Sequence, residues 1–244
     1  MLVAEIGLNH MGSETRLLNY IKSAKGVDAF TLQILSDKFY ENKKYRSLEL
    51  QPSSIVRFID LALDMGYKVG LAVDCAQKVQ EYNSDKISFY KVLSKEIGNE
   101  SLIGEIYNTS AQDIYISTGM SGYAEIDSIF AKCLSKNDRV KLIHTQLSND
   151  PHDVNLQAIN VMRDKYNVPV AYGHHCKDLE VFYAATGLNP ESIFFYIKGD
   201  DNIDYPDNAH AVPIKEVLGV VSKLRMLESA YGDGKKVSMR NWAK

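Results

Sequence analysis

Several short stretches of this chain set acids, bases and cations beside runs that read as strand ends. The first is Ala4-Glu5-Ile6-Gly7-Leu8-Asn9-His10-Met11-Gly12. A carboxylate ending a strand, an amide and an imidazole just past it, and two glycines that let backbone approach a ligand make a loop able to hold a polar molecule. Taken alone, the same loop reads equally well as an Asn-containing turn with a capping role. A second stretch, Tyr90-Lys91-Val92-Leu93-Ser94-Lys95-Glu96, offers an ammonium, a hydroxyl and a carboxylate within six residues. Further polar strand ends follow at Thr31 and Gln33, Asp74, Ser117-Thr118-Gly119, His144, Gly173-His174-His175, and Lys198 with Asp200 and Asp201. If these ends converge, they form a ring of carboxylates and cations suited to a small anionic or polyol substrate.

Convergence depends on the elements between them. Apolar runs rich in Val, Ile, Leu, Phe and Tyr predict strands at Leu2–Ile6, Ala29–Ile34, Lys68–Val73, Ile87–Leu93, Asp113–Ser117, Val140–His144, Val168–Gly173 and Ser192–Ile197. They lack period-2 alternation, as strands buried on both faces of a parallel sheet do. Helical spacing predicts helices at Glu14–Lys25 with Ser13 as N-cap, Ser54–Met65, Ala124–Ser135, Asp153–Tyr166, Asp178–Thr186 and Pro213–Tyr231, with shorter ones near Ala76–Asn83 and Asn99–Tyr107. Eight strand–helix units predict a single-domain α/β (β/α)8 TIM barrel over residues 1–232, with a C-terminal tail at 233–244. Its site would lie at the C-terminal strand ends. A doubly wound open sheet is the alternative, but no Gly-x-Gly-x-x-Gly follows the first strand. Ser36–Pro52, charged and Tyr-rich, reads as a lid or interface loop.

Composition narrows the function classes. The 244 residues are 45% hydrophobic and 24% charged with a net charge of −3, an ordinary balance without a basic block, so neither nucleic acid nor a membrane surface is indicated. No apolar run approaches a membrane span, and the N-terminus enters a strand without a signal-peptide pattern. Cys75, Cys133 and Cys176 are scattered, which fits a reducing, cytoplasmic setting.

Together, the opening stretch, Tyr90–Glu96, Ile116–Met120, Leu142-Ile143-His144, Asn155-Leu156 and Ala171–His175 resemble the sialic acid synthase family in order and spacing, from Leu2 to about Arg225. The resemblance implies a (β/α)8 barrel that condenses phosphoenolpyruvate with a mannosamine-type aldose to a nonulosonic acid and phosphate. It also implies a divalent metal (Mn or Mg) and a homodimer. In such a reaction the metal polarises the sugar aldehyde while the enol carbon attacks it. By that resemblance Glu5, Lys91 and His175 are the catalytic candidates, with His175 the first metal histidine. Lys91 and Ser94 match phosphate contacts, Ser117 and Gly119 the phosphoenolpyruvate carboxylate site, and Glu96 a sugar-binding carboxylate. Asn9, His10, Gln33, Thr118, His144 and Lys198 complete the substrate-binding candidates.

The departures from the family pattern fall on donor and metal positions. Phe30-Thr31-Leu32-Gln33 lacks the family lysine, Ala72-Val73-Asp74 lacks a phosphate-binding hydroxyl, and Gly173-His174-His175 replaces Ser-Asp-His. The second metal histidine aligns with Ile197, and the family's Asp-His-x-x-Ser becomes Asp207-Asn208-Ala209-His210-Ala211. Family members continue into an antifreeze-like domain that lends a sugar-binding arginine to the partner subunit. This sequence reaches Lys244 without it, which weakens what the resemblance implies about a mannosamine-type acceptor. Strand alternation from Ile197 turns Lys198 outward unless a bulge intervenes; His174 is the other candidate to stand in for the lost ligand. Three readings follow: a divergent synthase, a non-catalytic barrel that binds a sugar or sugar phosphate, or a changed chemistry such as a retro-aldol or isomerase reaction.

Overall fold

The strands pair in chain order: β1 (Leu2–Gly7), β2 (Ala29–Ile34), β3 (Lys68–Val73), β4 (Phe89–Val92), β5 (Asp113–Ser117), β6 (Val140–His144), β7 (Val170–His174) and β8 (Ile193–Lys198). Neighbours run parallel, and β1 closes back on β8 through Leu2 to Glu5 against Ile193 to Tyr196. The result is a (β/α)8 barrel in a computed structural model that describes residues 1–109, 113–134 and 138–236. A two-residue strand, β9 (Val212–Pro213), extends the edge of β8. Of the tail expected at 233–244, residues 237–244 lie outside the described residues.

Both faces of the sheet are buried, which explains the missing alternation. Val3, Ala29, Phe89, Tyr115, Ile143, Ala171 and Phe194 fill the barrel's interior. The alternate positions, among them Ala4, Phe30, Tyr90, Ile116, Leu142, Tyr172, Phe195 and Ile197, pack under the helices. Phe89, Tyr115 and Phe194 meet edge to face at 4.9 to 6.1 Å and plug the centre. Gly70 makes room for that plug, since a Cβ there would stand 2.1 Å from the Phe89 ring. Everything beyond the plug at the C-terminal strand ends is therefore a cup with an aromatic floor.

Helices at Glu14–Ser23, Pro52–Asp64, Ala76–Tyr82, Glu100–Tyr107, Leu179–Thr186 and Val217–Tyr231 fall close to expectation, whereas the one expected at Ala124–Ser135 is an α-helix only over Tyr123–Ile129 and passes into a π-helix at Phe130–Leu134. Ser13 and Asn99 cap two of them by accepting from Arg16 N and Leu102 N. The helix expected from Asp153 begins only at Ala158, because Asn155 takes a positive φ of 46° that a helix cannot continue through. Ser36–Pro52 is less irregular than its composition suggests. It holds a short helix, Asp37–Glu41, and a 3-10 turn, Arg46–Leu48, and its Tyr40 and Leu48, with Leu35 just before it, bury Leu8 of the first loop. Gly12, at φ +71°, lets that loop approach this segment rather than a ligand: a Cβ there would lie 2.1 Å from the Ser47 carbonyl oxygen.

Candidate functional site

The cup is organised by one ion pair. Glu5, near the end of β1, and Lys91, in β4, both point inward, and the Lys91 ammonium binds Glu5 Oε1. Their side chains are 3% and 5% exposed, and Thr31 of β2 bonds the same carboxylate oxygen at 3.5 Å. The ammonium also sits 5.4 Å from the Phe194 ring centre and 5.8 Å from that of Tyr196. Glu5 Oε2 is buried without a hydrogen-bond partner among the described residues, so the pair offers a free carboxylate oxygen to a ligand.

Next to the ammonium is a group of hydroxyls. Ser94, in the turn after β4, and Ser117, ending β5, lie 2.9 Å apart through their Oγ atoms, and Gly119 N donates to Ser94 Oγ at 3.1 Å. Lys91, Ser94, Ser117, His175 and Tyr196 line one cavity of about 200 Å³. A cation with hydroxyl donors beside it is what an oxyanion requires.

The opposite wall comes from β7, β8 and the loop after β8. His175 continues the inward alternation of Ala171 and Gly173. Its ring lies 5.3 Å from Tyr196 and 4.5 Å from His210. Burial, with His210 and the Lys91 ammonium close by, pushes the His175 imidazole down to about 2, and burial holds His210 at about 4. Asp207 stands nearby, its Oδ1 3.9 Å from His210 Nε2, beyond hydrogen-bonding distance. Burial and the neighbouring Glu5 charge push the Asp207 carboxyl up to about 7, against a smaller pull from Lys91. Tyr196 is held well above its ordinary range by burial and by Glu5 and Asp207. Gly7, at φ +54°, admits this crowd: a Cβ there would meet Tyr196 Cε1 at 2.6 Å and Asp207 Oδ2 at 3.0 Å.

Other candidates go elsewhere. His144 and Thr118 share the outward parity of Leu142 and Ile116. His144 Nε2 donates to the Val154 carbonyl at 2.8 Å and Thr118 Oγ1 to that of Ile143 at 2.8 Å. His174 also faces the helices, stacked on Phe182 at 4.6 Å and bonded to Tyr172. It is His210, not His174, that stands beside His175. Asn9 uses both ends of its amide, donating to the Ile197 carbonyl at 2.9 Å and accepting from Asp207 N at 3.2 Å; it positions Asp207. His10 accepts from Gly12 N within its own loop. Glu96 is bound by Asn99 and Lys95 at the rim. Gln33 lines a separate cleft of about 580 Å³ with Asp37, Tyr40 and Lys78, larger than the cup but carrying none of the converging groups.

Ile197 is fully buried among the outward core residues, so the inward position is Tyr196. Lys198 has the parity of Tyr196 but is turned aside at the rim, donating to Asn208 O and Oδ1 at 2.7 Å each. Strand alternation counted from the plug residue Phe194 finds Tyr196 directly. Asp207 and His210 follow β8 as the other polar loops follow their strands, and no periodic signal marks them.

The divalent metal that the resemblance implies can be tested against these groups. Two neutral imidazoles, His175 and His210, face each other, yet among the described residues no group of three or more His, Cys, Asp or Glu side chains is arranged to hold a metal ion. At the mouth end of β8 the inward Tyr196 presents a phenol that its surroundings keep protonated. This donor set does not fit the cation.

Over residues 19–236 the sequence matches the NeuB family profile. An N,N'-diacetyllegionaminic acid synthase from Campylobacter jejuni is 23% identical over 268 residues, spanning 99% of this chain and 80% of that protein. An uncharacterised protein from Methanocaldococcus jannaschii is 27% identical over 252 residues, spanning 98% and 74%. The crystal structure of an N-acetylneuraminic (sialic) acid synthetase from Leptospira borgpetersenii, in complex with citrate, superposes with a TM-score of 0.89 at 21% identity, covering 99% of this chain and 88% of that one. At that identity the likeness bears on the fold.

Proposed function

The chain belongs to the NeuB family, and from that premise we propose that it condenses phosphoenolpyruvate with an aldose of the mannosamine type to form a nonulosonic acid. The observation that carries the reading is the buried Lys91 ammonium beside the paired Ser94 and Ser117 hydroxyls, opening on one cavity. Lys91 and the two serines hold the oxyanion of the enolpyruvyl phosphate. The enol carbon bonds to the aldehyde carbon, and the aldehyde oxygen takes a proton. Asp207, whose carboxyl keeps a proton near neutral pH, supplies it. Water then adds to the cationic C2, and the tetrahedral centre expels phosphate. Glu5, with one oxygen on Lys91 and the other unpaired, accepts from that water or from a sugar hydroxyl.

Phosphate release from phosphoenolpyruvate, dependent on added N-acetylmannosamine or a related 2-acetamido aldose, tests the activity. Calorimetry with phosphoenolpyruvate tests binding separately. A second reading, a non-catalytic or changed-chemistry barrel that binds a sugar or sugar phosphate, is favoured by Thr31 standing inward where the family pattern has a lysine, and by β8 turning Tyr196 rather than a histidine into the cup. Phosphoenolpyruvate binding without turnover of any aldose supports it.

A further inference from the structure

Thr145, which no motif singled out, immediately follows His144 at the end of β6. It continues the inward alternation of Ile143, one of the residues filling the barrel. The residue is 3% exposed, and its Oγ1 is buried with no hydrogen-bond partner among the described residues. A buried hydroxyl left in that state costs about 1–3 kcal/mol, so it needs an explanation.

Its surroundings supply one. A Cβ at Gly173 would stand 3.1 Å from Thr145 Cβ and 3.3 Å from its Oγ1. A Cβ at Gly119 would stand 2.8 Å from Thr145 Cγ2 and 3.0 Å from Ser94 Oγ. Thr145 thus fills the space that two glycines leave open, its methyl against Gly119 and its hydroxyl toward Gly173. Gly119 N–H also donates to Ser94 Oγ, which in turn bonds Ser117 Oγ. At 173 a glycine replaces the hydroxyl of the family pattern, and the Thr145 hydroxyl from the adjacent strand borders the space that a side chain there would enter.

We propose that Thr145 is a substrate-binding residue whose hydroxyl joins those of Ser94 and Ser117 in holding the substrate oxyanion, in place of the side chain that Gly173 lacks. The inference rests on the reading that this cup takes an enolpyruvyl phosphate.

The test is calorimetric titration of the full chain with phosphoenolpyruvate, and separately with inorganic phosphate. Thr145→Val keeps the shape and removes the hydroxyl, so affinity should fall about tenfold, or about 1.4 kcal/mol. Thr145→Ser should keep most of it. Because the valine removes an unpaired buried hydroxyl, its melting temperature should equal or exceed that of the wild type. Introducing Gly173→Ser into a Thr145→Ala chain should restore the binding that Thr145→Ala loses. Equal phosphoenolpyruvate affinity in wild type and Thr145→Val would overturn the inference and leave the functional reading intact. A valine variant of lowered melting temperature would also overturn it, making Thr145 structural. Folded wild type that binds neither phosphoenolpyruvate nor phosphate would overturn the functional reading and this inference together.

Discussion

Lys91 reaches across the barrel mouth from β4 to Glu5 on β1, and the two form an ion pair almost wholly withdrawn from water. β1 and β4 are not neighbours in the sheet, so the pair spans the cup and fixes the ammonium over the aromatic floor. Its two charges cancel, and the Glu5 oxygen left over is the pair's remaining acceptor. The same geometry gives Lys91 a structural role and a ligand-binding one, and mutation separates them.

Lys91→Ala strands the Glu5 carboxylate in a dry site, which costs about 3–5 kcal/mol when one partner of a buried pair is removed. A double variant, Glu5→Gln with Lys91→Met, should recover most of that loss in denaturant titrations, since neither charge remains. Phosphoenolpyruvate binding should be lost in both. Full binding by the stable double variant would rule Lys91 out as the oxyanion's cation.

Asp207 makes stability depend on pH in an unusual direction. Its folded carboxyl sits at about 7 against an ordinary 3.8, so between those values the folded protein holds a proton that the unfolded chain has released. Its contribution is fully present below about pH 4 and is lost as pH rises toward 7, by about 1.4 kcal/mol per unit within that window. The buried His10 and His210, both lowered to about 4, act oppositely and weaken the fold as pH falls below 6.5. The difference between wild type and Asp207→Asn isolates the aspartate: relative to wild type, the variant should gain stability steadily from pH 4 to pH 7. A pH-independent difference in chemical unfolding would mean that Glu5 and burial do not hold the proton on Asp207.

His144 separates outward from inward histidines. Its Nε2 bond to the Val154 carbonyl ties β6 to the chain entering the next helix. His144→Phe removes the donor and leaves that carbonyl unpaired, so stability should fall by about 1–3 kcal/mol. Affinity for phosphoenolpyruvate should stay unchanged. Loss of affinity in a fully stable variant would put His144 in the site after all.

The barrel was legible because strands buried on both faces carry an apolar signal strong enough to count. The inward candidates Glu5, Lys91, Ser94, Ser117 and His175 were legible from their motifs. What the motifs lacked was parity. His144 and Thr118 belong to matching stretches, yet alternation from Ile143 and Tyr115 turns them toward the helices. At β8 the motif match put Ile197 inward, whereas the plug residue Phe194 sets the register and brings in Tyr196. Thr145 lies just past the end of β6, and Asp207 and His210 lie in the long loop between β8 and β9, where no period operates; only the closed barrel brings them to the cup.

Manganese binding tests whether these groups hold a metal ion. His175 and His210 present two facing imidazoles at 4.5 Å between ring centres, and Asp207 Oδ1 lies 3.9 Å from one of them. Two neutral nitrogens without a third close ligand make a weak site for a hard or borderline cation. The ammonium groups of Lys198 and Lys91 add repulsion: both push His210 downward, and Lys91 pushes His175 downward as well. Calorimetry with manganese on the full chain should therefore show no stoichiometric binding in the micromolar range. Any phosphate release from phosphoenolpyruvate should survive a chelator. Thermal stability should be equally indifferent to manganese, since a ligand that binds only the folded state raises it in proportion to occupancy. Tight one-to-one binding that disappears in both His175→Ala and His210→Ala would overturn this expectation and make the two imidazoles the ligands of a rebuilt metal site.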